Sequence, residues 1–149
     1  MNLSTRSRPV RGVLLAAGAT LLLAGPAGCS EDRQTVASWS QHGGQTHVNA
    51  IGADVKTLLD VSGRGDDPTI ASRCRQVLAD VNAAKSYGKL PDSSAESSWE
   101  ETLDRAQAAA SHCLDNVKAG NGGSLADAME VETAFRGFVR DFGAATGRS

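Results

Sequence analysis

Apolar side chains recur at three- and four-residue intervals along most of the chain, and four stretches keep that spacing long enough to predict amphipathic helices. In the first, residues 35–62, Val36, Trp39, Ile51, Val55, Leu58 and Leu59 fall on one face. Gly43 and Gly44 interrupt it, each costing up to about 1 kcal/mol relative to alanine inside a helix, so a bend or a late start is expected there. The second stretch opens at Asp67-Pro68, an aspartate suited to an N-cap and a proline suited to the first helical position. Its stripe runs Ile70, Cys74, Val77, Val81, Ala84 and stops at Tyr87 and Gly88. The third begins near Pro91-Asp92, where Ser93/Glu96, Ser97/Glu100 and Ser98/Glu101 all have capping-box spacing and leave the register open. Trp99, Leu103, Ala106, Ala110, Cys113 and Val117 carry it to about residue 119. Gly120-Asn121-Gly122-Gly123 then breaks the period, and Ser124, with Asp127 three residues on, suits the start of the fourth helix. Leu125, Ala128, Val131, Phe135, Phe138 and Phe142 form its apolar face.

Short connections force neighbouring helices to run antiparallel, so the pattern predicts an all-α, up-and-down four-helix bundle over residues 35–149. At 149 residues the chain suffices for one domain and excludes multidomain enzymes. Aromatics make up only 4% of it. The stripes lean on alanine, which predicts close interhelical approach instead of a bulky leucine seam.

The first 28 residues read differently. Arg6, Arg8 and Arg11, with no acidic residue among them, precede an apolar run from Val13 to Ala24. That order is a secretory signal peptide. As a helix those 12 residues would rise about 18 Å against a hydrocarbon core of roughly 30 Å, too short to span comfortably. Ala27, Gly28 and Cys29 follow, and the whole arrangement resembles the lipobox of bacterial lipoproteins, with Pro26 standing where the family usually has an aliphatic residue. The resemblance implies diacylglycerol attachment at Cys29 with fatty acyl chains such as palmitate, cleavage before it, and a short lipidated tether over residues 29–34. It places the domain at the cell membrane, lipid-anchored on the extracytoplasmic face. Beyond residue 29, Pro91, Asp92, Trp99, Leu103 and Cys113 resemble, more loosely, small helical lipoproteins of high-GC actinobacterial type.

Removal of residues 1–28 would leave 121 residues with 12 basic and 17 acidic side chains, a net charge of −5. Binding to nucleic acid is therefore not expected, because it needs a basic face. Cys74 and Cys113 sit on the stripes of adjacent helices, and export would carry them out of the reducing cytosol, so a disulfide stapling the bundle is expected between them. No C-x-x-C motif is present to suggest redox chemistry.

Candidate chemistry is sparse. His42 and His47 are five residues apart, not the four that bring two imidazoles to one metal, and His112 beside Cys113 points some 100° away from it on a helix. Arg64-Gly65-Asp66 reads as a turn between helices. No nucleophile elbow, phosphate loop or dinucleotide fingerprint occurs. The sequence predicts no catalytic residue, no cofactor and no metal site, hence a non-enzymatic interaction domain whose partners are the membrane and an unidentified envelope protein. One gathering of residues stands out. In an up-and-down bundle Trp39, Tyr87, Trp99, Phe138 and Phe142 converge on a single pole, with His47 near them on the first helix. Three readings stay open for that pole: a core plug, a pocket that would make the protein a carrier or sensor for a small apolar ligand, or a surface against lipid headgroups.

Overall fold

A computed structural model describes residues 35–64 and 68–147. The predicted signal segment 1–28, the predicted lipidation site Cys29 with the predicted tether to residue 34, and the predicted cap Asp67 lie outside the described residues. The chain forms α1 (Val36–Trp39), a π-helical turn (Ser40–Gly44), α2 (Gln45–Val61), α3 (Ile70–Tyr87), α4 (Ser93–Lys118) and α5 (Leu125–Thr146). Each long helix packs on the next in sequence and α5 closes back on α2, completing the four-helix bundle. Among the described residues the only β pairing is an isolated bridge from Ser62 to Gly123, where the α2–α3 and α4–α5 connections meet. No helix of the described residues is long and apolar enough to cross a membrane.

Helix boundaries follow from local hydrogen-bond supply. Thr35 caps α1 by accepting from the Ser38 N–H at 3.1 Å. Asp92 caps α4, one carboxylate oxygen accepting from the N–H groups of Ser94 and Ala95. The three serine/glutamate capping pairs anticipated from spacing are therefore not the cap. An aspartate already satisfies those donors, and Glu96 reaches back past it to accept from the Leu90 N–H at 2.7 Å. Ser124 caps α5 through the Asp127 N–H, as expected. Pro68 is not the first residue of α3. It lies in a turn, and the helical ladder closes two residues later, where the Arg73 N–H reaches Thr69 O at 3.1 Å. Leu125, expected on the apolar face of α5, is instead exposed, because the core side of that helix is set by Val131 and Phe138, well round the helix from it.

The glycine pair makes the bend. Gly43 takes φ = 128°, outside the helical range, and the chain inserts one wide π turn between α1 and α2. Gly44 is needed for a different reason: its backbone is ordinary helix, but the six-membered ring of the Trp39 indole lies where a Cβ would go. Gly44→Ala should therefore cost about 3 kcal/mol, the upper end of overpacking penalties, read by chemical denaturation followed by tryptophan fluorescence. Gly137→Ala, on the open face of α5 with nothing near its would-be Cβ, should stabilise by roughly 0.5–1 kcal/mol. Equal effects at the two sites would refute the steric account.

Two apolar clusters hold the bundle. The larger includes Trp39, Ile51, Val77, Val81, Trp99, Leu103, Val131 and Phe138, with alanines 95, 106, 109 and 110 of α4 letting its neighbours approach closely. The smaller, at the far end, joins Val61 and Ile70 to the disulfide between Cys74 and Cys113, whose Cα atoms are 6.3 Å apart.

Candidate functional site

All six aromatic rings form one connected network at the pole opposite the disulfide. Trp39 meets Tyr87 edge-on at 5.5 Å between ring centres and Phe142 at 6.2 Å. Phe142 continues to Phe138 at 5.4 Å, and Phe138 to Trp99 at 4.5 Å and Phe135 at 6.1 Å. The edge-on pairs of Trp39 suit the ring quadrupoles, each such contact adding roughly 0.5–1.5 kcal/mol beyond simple burial, and the other rings meet tilted. The Trp39 indole N–H donates to Gly88 O at 3.4 Å and the Tyr87 hydroxyl to Trp39 O at the same distance, tying the π turn to the end of α3. His47 is half-buried, its ring 4.8 Å from that of Tyr87.

The five aromatics expected at this pole are thus together, and Phe135, one turn before Phe138, belongs with them although the sequence reading left it out. Trp39 and Trp99 are 1% and 2% exposed, so the rings fill the pole themselves. Of the three readings, the geometry matches the plug.

Around the bundle lie open grooves. Between α4 and α5 one of about 600 Å³ is walled by Glu100, Glu101, Asp104, Asp127 and Glu130, with Arg105 and His112 among them. Arg105 donates to Glu101 at 3.0 Å and to Glu130 at 2.9 Å, and His112 Nδ1 stands 3.2 Å from Asp127 Oδ2. These are exposed pairs, each contributing at most about 1 kcal/mol, and they make an acidic, ion-laced face. Between α2 and α5 a groove of about 470 Å³ has Val48, Phe135, Val139 and Phe142 in its walls, Lys56 at its rim and no acidic residue. His42 is engaged locally, its Nδ1 2.7 Å from Ser38 O. Among the described residues no three or more His, Cys, Asp or Glu side chains are grouped to hold a metal ion.

One unusual group escaped the reading of the sequence. Asp54 is 5% exposed, and its Oδ2 is buried without a hydrogen-bond partner. Burial pushes its carboxyl up from 3.8 to about 7, and the negative charge of Asp80 on α3 adds to the shift. A signal was available: Asp54 falls three residues after Ile51 and four before Leu58, an acid on the apolar stripe.

Comparison of the chain with family models, curated proteins and solved structures finds no match.

Proposed function

We propose that this protein is a lipoprotein held at the extracytoplasmic face of the cell membrane through Cys29, and that its helical bundle is a non-enzymatic module that meets another envelope component. The observation that carries the reading is the coincidence of a basic, apolar, small-residue and cysteine sequence over residues 6–29 with a cystine in the domain behind it. Structural disulfides persist mainly outside the reducing cytosol, so two independent features point to export. Acyl chains contribute about 0.8 kcal/mol per buried methylene, and two or more hold a protein at a bilayer without a spanning helix. The filled aromatic pole favours an interaction module over a carrier, because both indoles are buried against other rings, Trp39 at 1% and Trp99 at 2% exposed. The acidic α4–α5 face suits a partner with basic character.

Intact mass and membrane fractionation of the native product test this. The expected mass is that of a chain beginning at Cys29, enlarged by a diacylglyceryl group, with Cys74 and Cys113 oxidised. Cys29→Ser should abolish the lipid adduct and move the protein out of the membrane fraction. A full-length, unacylated product would overturn the reading.

A further inference from the structure

We propose that the seam between α2 and α3 is a pH-sensitive joint, in which ionisation of Asp54 loosens the α1–α2 arm from the rest of the bundle. The inference concerns the folded domain and does not depend on lipid at Cys29.

The seam is well partnered at both ends and badly partnered in its middle. At one end Tyr87 of α3 takes His47 and Trp39. At the other, Arg73 of α3 donates to Asp60 of α2 at 2.6 Å, and Arg64 engages the same carboxylate. Between them Asp54 presents a buried, unpartnered oxygen, and the charged group that acts on it from α3 is a second carboxylate, Asp80, which accepts from Gln76 of its own helix at 3.0 Å. Arg73 of α3 is taken by Asp60, and the buried residues of α4 and α5 are all uncharged. Across the same seam His47 meets Tyr87 and Asp60 meets Arg73.

A protonated Asp54 leaves a neutral polar group in the interior. An ionised one leaves a bare buried charge beside a like charge, a far costlier state. The sign follows from linkage. The closed seam holds the Asp54 proton up to about pH 7, whereas an opened, solvated carboxyl releases it near 3.8. Closure is therefore favoured at acid pH and loses ground as pH rises through about 7. The part that yields is α2, since α3 and α4 are covalently joined by Cys74–Cys113 while α2 has no such link. Gly43, at φ = 128°, and Gly63, at φ = 73°, sit near its two ends as hinges.

Hydrogen exchange of the intact chain, followed by mass spectrometry and corrected for the intrinsic pH dependence of exchange, tests the joint. Between pH 6 and pH 8 the protection of residues 45–61 relative to α4 should fall about tenfold, the factor expected for one proton released near pH 7. Asp54→Asn should hold that ratio flat, and His47→Gln should leave the fall in place. Asp80→Asn, which keeps Asp54 itself, should move the transition to lower pH. A wild-type ratio that does not change with pH would overturn the proposal. So would a fall that survives Asp54→Asn or vanishes in His47→Gln, and so would an unmoved transition in Asp80→Asn.

Discussion

Replacing Cys74 and Cys113 together by alanine should lower the unfolding free energy by about 4 kcal/mol. The bridge joins residues 39 apart in sequence, and closing a loop of that length removes about this much chain entropy from the unfolded state at 25 °C. Both half-cystines are buried in the smaller cluster with Val61 and Ile70, so nothing in water compensates for their loss. For a domain this small the total is expected to be only 5–15 kcal/mol, and the bridge is a large share of it. Urea denaturation of wild type and double variant measures the difference directly. A loss under 1 kcal/mol would mean that the unfolded chain is already confined there by residual structure, and that the staple does not govern stability. The aromatic pole lies a dozen residues up α3 from Cys74, roughly 20 Å along the helix, so near-ultraviolet dichroism of the tryptophans should survive in the folded variant.

Phe138→Ala should cost a similar amount, about 3–5 kcal/mol, for a different physical reason. Phe138 is fully buried and is the hub through which Trp99, Phe135 and Phe142 connect. Its removal leaves a ring-sized void among rigid neighbours that have few ways to collapse into it, so the transfer loss and the cavity penalty add. Val139→Ala, at the next residue but about half exposed, should change stability by less than about 0.5 kcal/mol. Thermal or urea unfolding of the two variants separates the explanations: comparable losses at positions 138 and 139 would show that α5 contributes through helix propensity and not through the plug. In the Phe138 variant the fluorescence of Trp99, in contact with the missing ring, should shift most.

The Phe138 prediction bears on what the pole is for. If it is a plug, emptying it weakens the fold. If an apolar ligand normally entered there, the void would be tolerated and filled. Both indoles are buried, and the same measurements separate the two cases.

How much of this was legible in the sequence follows from which interactions are local. Helix positions are written in the 3.6-residue period, and the stripes of all four long helices match the buried faces apart from a few residues such as Leu125. Leu125 stands at the first residue of its helix and lies well round it from Val131 and Phe138, off the face that packs on the core. Pairing of the two stripe cysteines was likewise legible, because short connections leave α3 and α4 few ways to lie other than side by side. Capping was legible in kind but not in register: three serine/glutamate pairs offered the same spacing, and only the path of residues 88–92 put Asp92 in front of the free N–H groups. The bend at Gly43 was expected, whereas its form, a π turn wrapped around Trp39, depended on the indole finding Tyr87 and Phe142 on two other helices. Asp54 is the clearest division. Its place on an apolar stripe is a property of spacing alone, but its raised carboxyl arises from burial and from Asp80 on the facing helix, and both come into being only when α2 and α3 pack. Local order, set by periods and caps, was thus determined by the chain itself. Burial, charge opposition and the closing of the aromatic pole were decided by the tertiary fold, because each requires groups distant in sequence to share a small volume from which water is excluded.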